Sequence, residues 1–146
     1  MNYIIYTDGG SRGNPGPAGA GVVVKDGSGK KLKEARESLG QATNNFAEYA
    51  AVILGLQTLR RLVKKNDRKK SEVEIRMDSE LVQRQLSGQY EIKEESLFPL
   101  FIKIHNMCIS HFPNTSFKHV PRSQNQEADR LANLAMDARS QQSLIL

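Results

Sequence analysis

Four carboxylates stand at positions of the sequence where metal chemistry is possible. Asp8 ends a β-branched and aromatic run and is followed by two glycines, and Asp78 ends a short predicted strand at residues 73–77. Glu48 and Asp129 fall in the first turns of two predicted helices. Carboxylates with no cysteine or nearby histidine favour an oxygen-binding cation, Mg²⁺ or Mn²⁺, over zinc. Two such ions about 3.5–4 Å apart can bind the attacking and leaving oxygens of a phosphodiester.

Each acid also has a purely structural interpretation when it is considered alone. Asp8 could belong to a hairpin turn, as most Asp-Gly pairs do. Glu48 could complete a helix capping box, and Asp78 could be the N-cap of the following helix. Asp129 could simply complement the positive end of its helix. Convergence of all four would weaken these interpretations, because clustered carboxylates repel one another unless protons or a cation neutralise them.

The order of the predicted elements brings the four acids to one end of a sheet. Three strands form an antiparallel meander, and a long helix then leads to a fourth strand, parallel to the first, through a right-handed crossover. Open sheets with parallel strands bind ligands beyond the carboxyl ends of those strands. The predicted fold class is therefore α/β, a five-stranded mixed sheet flanked by helices. The predicted strands cover residues 2–7, 18–25, 30–39, 73–77 and 115–120, and the predicted helices cover residues 45–63, 79–86, 96–110 and 126–138.

Length and charge set the limits of this prediction. The chain has 146 residues, enough for one domain, which we expect to cover residues 1–138 with a short tail at residues 139–146. The tail is expected to be loose, although Leu144–Leu146 could dock. The net charge of +5 is compatible with a polyanionic partner but does not identify one. The basic run Lys64–Lys70 is predicted to be a solvated loop on the order of 24 Å from the acids, outside any substrate surface.

Cys108 is the only cysteine of the chain. An intrachain disulfide and a thiolate metal site are therefore excluded, and the residue is predicted to fill the core. The sequence shows neither the pattern of a secretory signal nor an apolar run long enough to span a bilayer. A reducing, cytoplasmic setting without membrane association is the expectation.

Four motifs occur in order along the chain. They are Y-T-D-G-G-S at Tyr6–Ser11, T-N-N-F-A-E-Y-A-A at Thr43–Ala51, M-D-S at Met77–Ser79 and H-V-P-R-S-Q-N-Q-E-A-D-R-L-A-N at His119–Asn133. Together they closely resemble type 1 ribonuclease H, and the resemblance covers about residues 2–137. It implies a ribonuclease H-like sheet of strand order 3-2-1-4-5. It also implies endonucleolytic cleavage of the RNA strand of RNA–DNA hybrids, leaving 5′-phosphate and 3′-hydroxyl ends, and we expect a monomer.

The resemblance implies a role for each acid around two Mg²⁺ ions, for which Mn²⁺ is a plausible substitute. Asp8 would bind both ions, and Asp129 would hold the ion that activates the attacking water. Glu48 and Asp78 would hold the ion that stabilises the leaving 3′-oxygen.

The resemblance also implies a set of substrate-binding residues: Gly9, Asn14, Thr43, Asn44, Asn45 and Arg122. The three asparagines would face the minor groove and the RNA 2′-hydroxyls, and Thr43 would contact a phosphate of the DNA strand. An asparagine amide can donate to and accept from a 2′-hydroxyl, which DNA lacks. Helix capping is the alternative for Asn44 and Asn45, and the two roles are compatible.

Two features differ from many members of the family. The loop at residues 121–125 has no histidine, so Arg122 is a candidate for part of that role or for a phosphate contact. Residues 87–96 include three Glu and one Lys, and the chain has no Trp, so it lacks the basic, Trp-rich handle of some members. The initial Met1 and the complete motif set favour a stand-alone protein.

Two other function classes fit the same fold. A non-catalytic nucleic-acid-binding module would be favoured by the loss of one acid, and none is lost. An integrase-like DNA-cutting domain is disfavoured by the asparagine pair before Glu48 and by the lack of a flanking DNA-binding domain.

Overall fold

A five-stranded mixed sheet forms the centre of the computed structural model, which describes the backbone of residues 1–145 and the side chains of residues 1–138. Its strands are β1 (Asn2–Ser11), β2 (Gly16–Asp26), β3 (Lys31–Ala42), β4 (Glu72–Met77) and β5 (Asn114–His119). The strand order is β3-β2-β1-β4-β5. The first three strands pair antiparallel, and β4 and β5 continue the sheet parallel to β1. The predicted fold class and strand order are confirmed.

Helices cover both faces of the sheet. They are α1 (Asn44–Leu62), α2 (Lys65–Arg68), α3 (Glu80–Leu86), α4 (Phe98–His111) and α5 (Gln126–Ile145), with short 3₁₀ helices at Glu95–Leu97 and Arg122–Gln124. Ala20, Val22 and Val24 of β2 point into the core that α1 and α4 share with the sheet. Gly19 and Gly21 face α5 instead, because successive residues of a strand point to opposite faces.

The apolar stripe of α1 forms the largest helical contribution to this core. Tyr49, Val52, Leu56 and Leu59 are all completely buried, at the spacing of one helix face. Each such side chain contributes about 1.5–3 kcal/mol through burial. Cys108 of α4 is half-buried against the same core, consistent with its predicted role as a core residue.

α5 lies directly against the backbone of β2. A Cβ atom at Gly19 would lie 2.7 Å from the Ala132 carbonyl oxygen, and one at Gly21 would lie 2.4 Å from that of Ala128. The two glycines therefore let the helix approach the sheet more closely than any side chain would allow. This contact sets the position of the first turn of α5, which carries Asp129.

β1 continues through Asp8 to Ser11, although the sequence predicted an end at Thr7. Its pairing with β2 continues as far as Ser11 opposite Ala18, which keeps the backbone extended. The hairpin-turn interpretation of Asp8 is therefore wrong. The parallel pairing with β4 ends at Tyr6, so Asp8 lies just beyond the last paired residue on that side.

The predicted loop Lys64–Lys70 contains one helical turn, α2. Arg68 donates from Nε to the Val63 carbonyl oxygen at 3.1 Å and from a terminal nitrogen to the Arg60 carbonyl oxygen at 3.0 Å. Carbonyls at the end of a helix lack partners within it, so these bonds complete the C-terminus of α1. The basic run therefore has a structural role as well as a solvated face.

The C-terminal helix is longer than predicted. α5 continues to Ile145, whereas the sequence predicted an end near Ala138. The predicted docking of Leu144–Leu146 lies outside the described side chains. Among the described residues, no helix combines the length and the apolar character needed to cross a membrane.

Candidate active site

Three carboxylates from three elements meet beyond the end of β4. Asp8 of β1, Glu48 of α1 and Asp78 after β4 each place a carboxylate oxygen within 4.8 Å of the others. Asp8 and Glu48 are 7% and 8% exposed, so the cluster is largely removed from water. Asp129 is adjacent, near enough for its carboxyl group to help raise the pKa of Asp8. The structure therefore brings the four predicted acids together, three in one group and the fourth beside Asp8.

Gly9 lets α1 lie against β1. A Cβ atom there would lie 2.1 Å from the Ala47 carbonyl oxygen, so no other residue fits without moving the helix. The Gly9 N–H also lies near enough to the Glu48 carboxylate to lower the pKa of that group. Because α1 starts at Asn44, Glu48 lies in its second turn rather than in the first turn as predicted. Gly9 thus holds Glu48 beside Asp8, and its contact with substrate stays a prediction.

Asn125 anchors the start of α5 to β1. Its buried side chain donates from Nδ2 to the Thr7 carbonyl oxygen at 2.9 Å, one residue before Asp8. The Asn125 carbonyl oxygen accepts the Asp129 N–H at 3.1 Å and so begins the helix that carries this acid. The sequence signal for this role is an Asn directly before a helical pattern, which does not reveal the bond to β1.

Burial and mutual repulsion raise the pKa of two of the carboxyls. Loss of hydration, followed by the charges of Glu48 and Asp78, raises the pKa of Asp8 to about 9. Loss of hydration, followed by the charge of Asp78, raises the pKa of Glu48 to about 8, although the Gly9 N–H and the Arg122 guanidinium oppose this shift. Without a cation, the cluster therefore holds protons at neutral pH that isolated carboxyls would have released.

Two buried oxygens of the cluster, Glu48 Oε2 and Asp78 Oδ2, have no hydrogen-bond partner among the described residues. Buried polar atoms of folded proteins are nearly always paired, so these atoms indicate a place for a ligand. A donor set made only of carboxylate oxygens suits a hard divalent cation. The residues present therefore fit Mg²⁺ or Mn²⁺.

Thr43, and neither of the asparagines after it, caps α1. Thr43 Oγ1 accepts the Phe46 N–H at 3.2 Å, and the helix begins at Asn44. The capping alternative for Asn44 and Asn45 is therefore wrong, and so is the capping-box interpretation of Glu48. The carboxylate of Glu48 is directed to the acid cluster instead.

The charges of Asp78 and Arg122 both shift the pKa of Glu48, in opposite directions. Asp78 is free to do so because Ser79, which accepts the Val82 N–H at 3.3 Å, caps α3 in its place. Arg122 lies in the exposed 3₁₀ turn before α5, near enough for its charge to lower the pKa of Glu48. One residue thus favours the protonated form of Glu48 and the other favours the ionised form.

The predicted substrate-binding asparagines make two separate sets of hydrogen bonds, one through Asn14 and Asn44 and one through Asn45. The Asn44 N–H donates to Asn14 Oδ1 at 3.0 Å, and Asn44 Oδ1 accepts the Ser11 N–H at 2.9 Å. Asn45 Nδ2 donates to Glu94 Oε1 at 2.8 Å. Ser11 and Glu94 are members that sequence reasoning misses, because each is distant along the chain from the asparagine it binds.

Comparison with known proteins gives matches over nearly the whole chain. The family described as reverse transcriptase-like matches residues 6–135. A bifunctional protein of Mycobacterium tuberculosis is 42% identical over 142 residues, which cover 97% of this chain and 37% of that protein. Ribonuclease HI of Halobacterium salinarum is 39% identical over 132 residues, covering 90% of this chain and 63% of that protein. The chain thus spans less than two thirds of the length of these relatives.

Solved structures share the fold. LC11-RNase H1, isolated from compost by a metagenomic approach, matches with a TM-score of 0.88 at 48% identity, over 94% of this chain and 96% of that one. The crystal structure of LC11-RNase H1 in complex with an RNA/DNA hybrid matches with a TM-score of 0.85 at 46% identity, over 93% and 97% of the two chains.

Fold and carboxylate cluster together define a domain of the reverse transcriptase-like class. Within that class, the chain belongs to the type 1 ribonuclease H family.

Proposed function

We propose that this chain is a metal-dependent endoribonuclease that hydrolyses the RNA strand of RNA–DNA hybrids and leaves 5′-phosphate and 3′-hydroxyl ends. The observation that carries the proposal is the buried carboxylate cluster with its two unpartnered oxygens, Glu48 Oε2 and Asp78 Oδ2. Membership of the ribonuclease H family supports it, as does the RNA/DNA hybrid bound by the related LC11-RNase H1.

Asp8, Glu48, Asp78 and Asp129 would hold two Mg²⁺ ions, with Mn²⁺ as a substitute. Bound divalent ions would supply Lewis-acid stabilisation of the phosphate oxygens and lower the pKa of a bound water. The pKa values of Asp8 and Glu48, raised to about 9 and about 8, mean that ion binding at neutral pH displaces protons from this pair.

The other residues of the site hold these acids in place. Gly9 lets α1 bring Glu48 against β1, and Asn125 ties the helix that carries Asp129 to the backbone of β1. The burial of Asp8 and Glu48 keeps bulk water away, which strengthens their interaction with a cation.

The substrate would lie over the start of α1. Asn14, Asn44 and Asn45 would contact the minor groove and the 2′-hydroxyls of the RNA strand, Thr43 a phosphate of the DNA strand, and Arg122 a phosphate near the cluster. The net charge of +5 favours such a polyanion. We propose that the chain acts as a monomer in the cytoplasm. Its lone Cys108 has no disulfide partner within the chain.

The proposal is tested with end-labelled RNA–DNA hybrid, double-stranded RNA and DNA duplex, each incubated with Mg²⁺, Mn²⁺ or EDTA. Hybrid should be cut within its RNA strand in either metal and left intact in EDTA. The product ends are checked by 5′ end-labelling. A 5′-phosphate prevents labelling until a phosphatase removes it. Cleavage in EDTA, or an intact hybrid in both metals, would overturn the proposal.

A further inference from the structure

The amide of Asn44 is held in one orientation. Its Oδ1 accepts hydrogen bonds from the Ser11 N–H at 2.9 Å and from Ser11 Oγ at 3.2 Å. A backbone N–H can only donate, so the carbonyl side of the amide must face Ser11. The Nδ2 donor of Asn44 is therefore directed away from Ser11. Asn14 is held in the same sense, because its Oδ1 accepts the Asn44 N–H at 3.0 Å.

The neighbouring amide of Asn45 is held the opposite way round. Its Nδ2 donates to Glu94 Oε1 at 2.8 Å. An ionised carboxylate can only accept, so the nitrogen side of the amide must face Glu94. The Oδ1 acceptor of Asn45 is therefore the atom directed away from Glu94. The two adjacent asparagines thus direct different atoms toward a ligand. Asn44 presents a donor, Nδ2, and Asn45 presents an acceptor, Oδ1.

The backbone around Glu94 is well placed to hold this orientation. The Glu94 carbonyl oxygen accepts the Leu97 N–H at 3.0 Å, and Leu97 is completely buried in the core. The backbone of Glu94 is thus joined to a core residue, and its carboxylate lies beside Asn45 in the first turn of α1.

Donors and acceptors have different partners in the minor groove of a hybrid. Base edges there present mainly acceptors, which suit the donor of Asn44, and guanine adds one amino donor. A ribose 2′-hydroxyl both donates and accepts. An acceptor such as Asn45 Oδ1 can therefore accept a hydrogen bond from a 2′-hydroxyl. At an A·U or A·T pair with a deoxyribose, the minor groove has no donor for it.

We propose that Glu94 is a positioning residue that fixes the amide of Asn45 with its oxygen toward the substrate, so that one 2′-hydroxyl of the RNA strand must donate to it. This inference rests on the proposed function. It assigns the rejection of DNA at one nucleotide to the pair Asn45–Glu94, whereas Asn14 and Asn44 accept a wider range of partners. Without Glu94 the amide could rotate and present Nδ2 to a base acceptor, which would blunt the rejection.

The test compares kcat/KM for hybrids whose RNA strand carries a single 2′-deoxy nucleotide, moved across the cleavage site within an A·U-type tract. In the wild-type chain, one position should show a penalty that Asn45→Ala removes. Glu94→Ala should reduce the penalty at that same position about two- to tenfold, the range expected for one hydrogen bond, and leave the other positions unchanged. A 2′-fluoro nucleotide there should be penalised like a deoxy nucleotide, because fluorine cannot donate.

Three controls separate orientation from charge. Glu94→Gln keeps an acceptor for Asn45 Nδ2 without the charge and should retain the position-specific penalty. Glu91→Ala removes an exposed acid from the same segment and should leave the profile as in the wild type. In the free protein, Glu94→Ala should shift the side-chain amide NMR signal of Asn45, which reports the hydrogen bond without any activity measurement.

The outcomes are distinct. If Glu94→Ala and Glu94→Gln change the rates on all strands by one common factor, Glu94 acts by charge alone and the inference is overturned. An unchanged penalty in Glu94→Ala overturns it as well, while the hybrid cleavage of the wild type leaves the proposed function standing. A wild-type chain that cleaves no hybrid overturns the proposed function and this inference with it.

Discussion

Among single residues, Asp8 lies at the centre of the acid cluster. It is buried inside β1, with carboxylate oxygens of Glu48 and Asp78 within 4.8 Å and the Asp129 carboxyl near enough to raise its pKa further. Asp8→Asn should lower the rate of hybrid cleavage in Mg²⁺ below about a tenth of the wild-type rate, because the variant loses a central metal ligand. Initial rates on labelled hybrid measure this. Asp67→Asn in α2 is the control, and a higher residual rate in Asp8→Asn would contradict the metal-ligand role.

The Thr43 side chain stabilises the start of α1. Thr43→Ala should lower the free energy of unfolding by about 1 kcal/mol, because the Phe46 N–H loses its partner. Urea denaturation measures the loss. Thr43→Ser keeps a hydroxyl and should recover most of it. Equal losses in the two variants would show that the hydroxyl does not stabilise the helix.

Among the elements, the contact of α5 with β2 decides where Asp129 lies. Gly21→Ala would place a Cβ atom 2.4 Å from the Ala128 carbonyl oxygen, so the helix must shift. The expected cost is about 1–3 kcal/mol of stability, typical of overpacking, together with slower cleavage. Gly10→Ala is a matched control, because its Cβ would meet the flexible end of Met136 at 3.4 Å and Asn44 Oδ1 at 3.8 Å, both ordinary contact distances. Equal melting temperatures for the two variants would contradict this account.

The basic segment at the far end of α1 should not bind the substrate. Sixteen residues separate Glu48 from Lys64, which at a rise of about 1.5 Å each corresponds to about 24 Å. Replacing Lys64, Lys65, Lys69 and Lys70 together by Gln should change the affinity for hybrid by less than about tenfold at moderate salt. Fluorescence anisotropy gives the affinity. Arg122→Gln, next to the acids, is the comparison and should weaken binding although it removes only one charge.

The order and type of the elements could be predicted from the sequence, because apolar periodicity and turn residues are local signals. The strand ends could not. β1 continues past Thr7 only because β2 remains paired with it up to Ser11. The residue that caps α1 could not be predicted either. Thr43, Asn44 and Asn45 are all good capping residues, and only the fold selects one.

The candidate site was predictable to a similar degree. Its four acids could be named from motifs that also fix their order along the chain. The residues that hold those acids could not be named, because their partners are far away in sequence. Asn125 binds the Thr7 carbonyl across 118 positions, and Glu94 binds Asn45 across 49. Such contacts exist only after the sheet has formed.

In the molecule as a whole, the site gathers side chains from β1, α1, α5 and the residue after β4, so the repulsion among its acids affects the stability of the entire fold. Asp8 and Glu48 have pKa values of about 9 and about 8 in the folded chain, above the ordinary values of 3.8 and 4.5. Between these limits the folded chain holds protons that the unfolded chain has released. The contribution of this pair to the free energy of unfolding is therefore fully present below about pH 4 and falls as the pH rises through the folded values.

The last prediction concerns this linkage between protons, cation and fold. In EDTA, the melting temperature of the wild-type chain should fall between pH 5 and pH 9 relative to that of Asp8→Asn, which lacks this titrating carboxyl. Asp8→Asn should consequently be the more stable protein at pH 8. Saturating Mg²⁺ should raise the wild-type melting temperature more at pH 8 than at pH 5, where protons compete for the same oxygens. The variant should gain less from Mg²⁺ at either pH. Thermal melts of both proteins across this range, with Asp67→Asn as the reference for losing a distant charge, decide the matter. Parallel pH profiles for wild type and Asp8→Asn in EDTA would contradict the raised pKa of Asp8.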